Sequence, residues 1–103
     1  MINKYQKGNR RELEARKILE EQGFLVDKKP RTKYQSPDLF GMFDLIAIKQ
    51  KECLLIQIKS NKSDFYKARK ALRSWVKSND CQLNCQIWLK ENRKPWRKEN
   101  IRT

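Results

Sequence analysis

The segment FDLIAIKQKECLLIQIKS constrains the fold more than any other part of the chain. Two apolar runs, at about 43–49 and 53–59, flank the short polar stretch QKE, a pattern that predicts two adjacent β-strands joined by a turn. A plain core hairpin does not need polar side chains, yet Asp44 stands at the head of the first strand and Gln57 and Lys59 stand at the end of the second. If the strands pair through the turn, the three polar groups meet at one end of a sheet.

The rest of the chain predicts a small α/β domain around this hairpin. Its 103 residues suffice for a single domain, 1–103, with a polar arm at 1–8 and a basic tail at 91–103 that can add either a short strand or a second arm. The other elements are a helix at 9–22 capped by Asn9 and ended by Gly23, a strand at 24–29, a helix at 63–79 capped by Ser63, and a strand at 82–90. The order αβββαβ predicts one mixed sheet with a helix on either side.

Charge and the missing histidine limit the possible functions. The chain carries 25 Lys and Arg against 12 Asp and Glu, a formal net charge of +13, which favours a polyanionic partner such as nucleic acid. With no histidine, Ser-His-Asp and Cys-His catalysis are excluded. Three cysteines without histidine disfavour a zinc site and a disulfide framework. The sequence lacks a membrane-length apolar run and a signal-peptide core, so we expect a cytoplasmic protein.

A basic protein without histidine that cuts phosphodiesters must use carboxylates, a lysine and a metal ion. Asp44 and the amide oxygen of Gln57 are hard ligands for Mg²⁺, or for Mn²⁺, and the backbone carbonyl of Ile58 can add a third oxygen. Lys59 can orient or deprotonate the attacking water. Glu12, at the edge of the apolar face of the first helix, can hold the metal through water.

Two motifs resemble those of a known nuclease family. The segment KGNRRELEARKILEEQGFLV is similar to the opening of archaeal-type Holliday junction resolvases. Asp44, twelve residues and then QIK resemble the PD-(D/E)XK motif, with Gln57 in the acidic position. In this register Glu12, Asp44 and Lys59 match catalytic residues of the family. The resemblance implies a restriction-endonuclease-like core and a Mg²⁺-dependent, structure-selective DNA endonuclease of recombination and repair that acts as a homodimer.

Two departures from the motif leave alternatives open. Gln57 is neutral where the family carries a glutamate, so metal affinity should fall, and a non-catalytic DNA-binding module is the alternative function. A basic RNA-binding or ribosome-associated protein with no site is a third interpretation. Pro37 and Asp38 spell the motif's first letters literally, which makes Asp38 the alternative to Asp44.

The basic side chains predict a surface that contacts phosphates. The residues assigned to it are Lys7, Arg10, Arg11, Arg31, Lys33, Tyr34, Lys62, Lys67 and Lys70, with Tyr34 as a possible base-stacking side chain. Trp88 falls on the polar face of its alternating strand, which predicts a subunit interface or a base-stacking platform.

Overall fold

The computed structural model describes residues 4–28 and 42–101, with side chains from residue 10 onward. Its elements are α1 (Lys4–Glu21), β1 (Leu25–Asp27), β2 (Leu45–Lys49), β3 (Glu52–Lys59), α2 (Lys62–Ser78), β4 (Asn84–Leu89) and β5 (Arg97–Ile101). The five described strands form one sheet in the order β1-β2-β3-β4-β5, and among them only the β3–β4 pair is parallel. The predicted α/β fold with a mixed sheet is confirmed, and β5 is the strand that the basic tail adds.

Each face of the sheet is covered by one of the two described helices, and the described residues form an apolar core on each face. On one face Ala15 and Leu19 of α1 pack against β2, β3 and β4. On the other face the buried stripe of α2 packs against β3, β4 and β5; its members are Phe65, Ala68, Leu72 and Val76. Neither described helix is long and apolar enough to cross a membrane.

The double cover corrects the prediction for Trp88. Its side chain is only 2% exposed and lies in the core beneath α1, where its ring meets Trp96 edge-on at 5.6 Å between centroids. Its indole N–H donates to the Gln86 side chain at 2.9 Å. Side chains along β4 alternate between two faces, and because a helix covers each face, residues of both sets are buried. Trp88 is therefore a core residue and not a surface platform.

Both predicted helix starts are wrong. Helix α1 begins at Lys4, so Asn9 lies inside it; the only poor helix former in this added stretch is Gly8, which a helix tolerates at a cost of about 1 kcal/mol. Helix α2 begins at Lys62, and its cap is Asn61, whose Oδ1 accepts from the Asp64 N–H at 2.9 Å. Asparagine caps helices as well as serine does, so the sequence held two candidates.

The predicted end of α1 at Gly23 is confirmed. Gly23 has φ +93°, a left-handed conformation that glycine adopts without steric cost. The N–H of Gly23 donates to the Glu20 carbonyl and the N–H of Phe24 to that of Leu19, both at 3.0 Å. These bonds close the helix end and turn the chain into β1.

Candidate active site

Asp44 is held in place by its two neighbours in the sequence, Phe43 and Leu45. Phe43 is fully buried in the core under α2, with its ring 5.3 Å from Trp75, whereas Leu45 is 1% exposed in the core under α1. Strand alternation would put two residues so spaced on the same face, so the regular pattern is interrupted at Asp44. The chain bends there, and the Asp44 side chain reaches towards the neighbouring strand.

That neighbour is the end of β3. The backbone N–H of Ile58 donates to Oδ2 of Asp44 at 2.7 Å, and the Asp44 N–H donates to the carbonyl of Ile56 at 2.8 Å. The carboxylate therefore takes the place that a backbone carbonyl would hold if β2 continued. The predicted meeting of Asp44 with the end of the second strand is what the hairpin register produces.

Ile58 presents its carbonyl on the same side as Asp44. In a β-strand the N–H and C=O of one residue point to the same edge, and the next residue points to the other. The Lys59 carbonyl accepts from the Lys90 N–H at 3.0 Å, on the β4 side, so Ile58 faces β2. Gln57 and Lys59 follow Leu55 on the face that α2 covers, and both side chains are half-buried.

Gln57 has an unsatisfied atom. Its side-chain oxygen, Oε1, is buried and has no hydrogen-bond partner among the described residues. Leaving a buried acceptor unpaired costs about 1–3 kcal/mol, and such groups concentrate where a ligand or ion completes the bonding. The side-chain oxygen of Gln57 could therefore accept a hydrogen bond from a ligand or coordinate a cation.

The donor set at this strand end fits a hard divalent cation. It consists of the Asp44 carboxylate, the Gln57 amide oxygen and the Ile58 carbonyl, all oxygen ligands of the type that Mg²⁺ and Mn²⁺ prefer. Oδ2 of Asp44 accepts a hydrogen bond from the Ile58 N–H at 2.7 Å, which orients the carboxylate. Within residues 10–28 and 42–101, no three His, Cys, Asp or Glu side chains lie together in a metal-binding group. Of the three proposed donors, only the Asp44 carboxylate carries a negative charge.

Glu12 lines a shallow cleft that also contains Leu45, the residue that follows Asp44. The other lining residues are Leu13, Arg16 and Lys28. Its carboxylate pairs with the Lys28 ammonium at 3.8 Å, and its side chain is 24% exposed. Lys28 is a neighbour that sequence reasoning missed. The signal available in the sequence was Lys28, the residue directly after β1, but only the fold shows that it lies beside Glu12 of α1.

The predicted phosphate contacts divide into three groups. Arg10, Lys62, Lys67 and Lys70 are exposed, and Lys62 begins α2 three residues after Lys59, at the same end of the sheet. Lys7 lies in α1 with its side chain outside the described atoms, and Arg31, Lys33 and Tyr34 lie outside the described residues, as does Asp38. Arg11 forms the third group by itself.

Arg11 is buried, which corrects its assignment to the phosphate surface. Its side chain is 6% exposed and donates to Glu14 at 3.2 Å and to the Asn92 oxygen at 2.9 Å. These bonds join α1 to the segment between β4 and β5. A guanidinium enclosed in this way serves as a structural clamp and is not available to DNA.

Comparisons with known proteins bear on the family and the fold. A family model described as archaeal Holliday junction resolvase (hjc) matches residues 3–101. Among solved structures, Hjc of Archaeoglobus fulgidus, described as a Holliday junction resolvase from an archaeal hyperthermophile, is similar with a TM-score of 0.61. The two sequences are 21% identical, over 93% of this chain and 82% of that one, so the likeness shows a shared fold. No curated protein matches.

Proposed function

Because the chain belongs to the family of archaeal Holliday junction resolvases, we propose that Asp44, Gln57 and Ile58 form the metal-binding centre with which it cuts DNA. Membership makes the protein a structure-selective DNA endonuclease of recombination and repair, which binds branched DNA and acts as a dimer. Resolvases of this family use divalent metal ions. We further propose Mg²⁺ as that ion, with Mn²⁺ able to replace it, and a cytoplasmic location because the substrate is DNA.

One observation carries the proposal for the centre. The buried Oε1 of Gln57 has no partner among the described residues, and it belongs to the residue next to Ile58, whose N–H fixes the Asp44 carboxylate at 2.7 Å. The hydrogen bond from the Ile58 N–H pre-orients the Asp44 carboxylate at the end of β3. A buried, unsatisfied oxygen on the residue next to the one that orients the carboxylate supports a cation site at this strand end.

The chain's own residues would share the work of hydrolysis. A bound divalent ion would supply Lewis-acid chemistry by polarising the scissile phosphate and lowering the pKa of nearby water. Lys59, on the same face as Gln57, would orient the attacking water and offset negative charge on the phosphate. Glu12 would act through water, with Lys28 holding its carboxylate in position.

The exposed cations would position the substrate. Arg10, Lys62, Lys67 and Lys70, together with Lys7, Arg31, Lys33 and Tyr34, are proposed to contact the DNA backbone. Phosphate contacts fix orientation without reading sequence, which suits an enzyme that recognises the shape of a junction.

The test is a cleavage assay on a labelled four-way junction and on a matched linear duplex, with Mg²⁺ or Mn²⁺. Asp44→Asn removes one negative charge but keeps an oxygen that can accept from the Ile58 N–H, so the fold should survive. We expect junction cleavage to fall by at least about a hundredfold while junction binding is retained. Asp80→Asn is the matched control, because Asp80 is exposed in the turn between α2 and β4, at the opposite end of the sheet.

Two results would count against the proposal. If Asp44→Asn cuts like the wild type, the metal centre lies elsewhere, and Asp38 is the next residue to test. If the wild-type protein binds the junction but cuts no substrate with either metal, Gln57 has disabled the site and the protein is a binding module.

A further inference from the structure

The site is short of negative charge, and this has a consequence for the order in which its ligands bind. Of the three donors at the end of β3, only Asp44 is anionic; Gln57 and the Ile58 carbonyl are neutral. Within residues 10–28 and 42–101, no three His, Cys, Asp or Glu side chains lie together in a group that could hold a metal ion. The affinity of an oxygen site for divalent cations follows the charge of its ligands, so one carboxylate gives weak binding.

The surroundings add to this shortage. Glu12, the candidate for a second carboxylate, has the Lys28 ammonium 3.8 Å from Oε2, which offsets its charge. The whole chain carries a formal net charge of +13, so its own field repels a divalent cation. Without DNA, the site that contains the buried oxygen of Gln57 should therefore bind a divalent cation only weakly.

DNA supplies what the chain lacks. Mg²⁺ in phosphate-processing sites is commonly bound by one or two carboxylates plus oxygens of the substrate phosphate. A phosphate placed against Asp44 and Gln57 would bring a second anionic oxygen to the ion, and the duplex would reverse the sign of the local potential. Metal and DNA then each raise the affinity of the protein for the other, by the same factor.

We propose that Gln57 makes metal binding conditional on DNA, so that the centre is completed only on a bound phosphodiester. This inference rests on the metal centre proposed above and adds a role for the residue by which this chain departs from its family's motif. Gln57 thus makes the occupancy of the metal site depend on whether DNA is bound. A glutamate at the same position would hold the ion whether or not DNA is present.

The test measures Mn²⁺ binding itself, as the loss of the electron paramagnetic resonance signal of the free ion, with and without a four-way junction. All proteins carry Lys59→Ala, which slows cleavage so that the DNA stays intact. In this background we expect the junction to tighten Mn²⁺ binding by about tenfold or more, within the usual range for coupled sites. Mn²⁺ should tighten junction binding by an equal factor.

Three further variants in the same background complete the design. Gln57→Glu should bind Mn²⁺ more tightly without DNA and gain less from the junction. Gln50→Glu adds the same charge in the exposed β2–β3 turn, at the opposite end of β3, and should behave like the unchanged background. Asp44→Asn measures the ions that the DNA and the protein surface hold on their own.

The outcomes separate the two proposals. If the background protein binds Mn²⁺ equally well with and without the junction, and Asp44→Asn abolishes that binding, the dependence on DNA is refuted while the metal centre stands. A Gln50→Glu variant that matches Gln57→Glu would also refute it, because net charge alone would explain the effect. If no variant binds more Mn²⁺ than Asp44→Asn under any condition, the metal centre itself fails.

Discussion

Arg10 and Arg11 are neighbours in the sequence with opposite environments. Arg10 is exposed on α1, whereas Arg11 is enclosed by Glu14 and Asn92. A run of two arginines near the start of a basic chain predicts two phosphate contacts. The difference arises because helix geometry points successive side chains about 100° apart, and only Arg11 points at the segment that follows β4.

This contrast gives a prediction for the adjacent pair. Arg11→Met should lower the free energy of unfolding by about 2 kcal/mol, since it leaves partly buried partners without their charged donor. Arg10→Met should change stability by less than about 0.5 kcal/mol. If Arg10 contacts a phosphate, its loss should lower the slope of log binding constant against log salt by about 1. Urea denaturation and salt titrations of junction binding measure both quantities.

The reverse pattern would overturn the assignment. If Arg11→Met left stability unchanged and weakened junction binding, the clamp would have to open when DNA binds. Arg10→Met serves as the internal control, because it removes the same group from the same helix one residue away.

Among the elements, α2 connects the site to the core. It begins directly after β3, and its cap, Asn61, is two residues from Lys59. Asn61 and Asp64 bond reciprocally: the Asp64 N–H donates to Oδ1 of Asn61, and the Asn61 amide donates to the Asp64 carboxylate, both at 2.9 Å. The cap therefore fixes where the chain leaves the sheet beside the site.

The prediction at this scale compares the observed cap with the one that the sequence favoured. Asn61→Ala should destabilise the protein by about 1 kcal/mol, because it leaves helix N–H groups unsatisfied. Ser63→Ala should change stability by less than about 0.5 kcal/mol, since Ser63 lies inside the helix. Thermal unfolding of the two variants decides between the caps, and a larger loss for Ser63→Ala would contradict the structure.

Elements with a clear apolar period were predictable from the sequence. The β2–β3 hairpin follows from two apolar runs around a polar turn, and its register brings Asp44 to Ile58. What failed depended on contacts from distant parts of the chain: whether a second helix covers the polar face of β4, as for Trp88, and whether a loop encloses a cation, as for Arg11. The predicted start of α2 was also wrong, because asparagine and serine cap helices equally well and the sequence has Asn61 and Ser63 two residues apart.

For the molecule as a whole, the absence of histidine limits which side chains change charge near neutral pH. The chain has no histidine, the side chain that ordinarily changes charge between pH 5 and 8. Burial raises the pKa of the Cys85 thiol to about 12, with a further contribution from its contact with Cys81, whose sulfur lies 3.8 Å away. Cys85 is 1% exposed in the core under α2.

The sign of the resulting pH dependence follows from linkage. The folded pKa of Cys85 lies above the ordinary value of 9.0, so the unfolded chain loses this proton first. Its contribution to stability is complete below pH 9 and declines as the pH rises towards 12. Urea denaturation between pH 8 and 11 should show a shallower decline for Cys85→Ala than for the wild type. Equal slopes would mean that the thiol titrates normally.

The order of the strands has a consequence for how the chain reaches its fold. Among the described strands, each lies beside its neighbour in the sequence, and the single parallel step between them, from β3 to β4, is bridged by α2. Closing a loop costs entropy that grows with its length, by about 0.6 kcal/mol per doubling. A sheet assembled from sequential neighbours avoids the long closures that slow other β-rich topologies. The two strands that build the site are separated by the shortest of these connections, a two-residue turn.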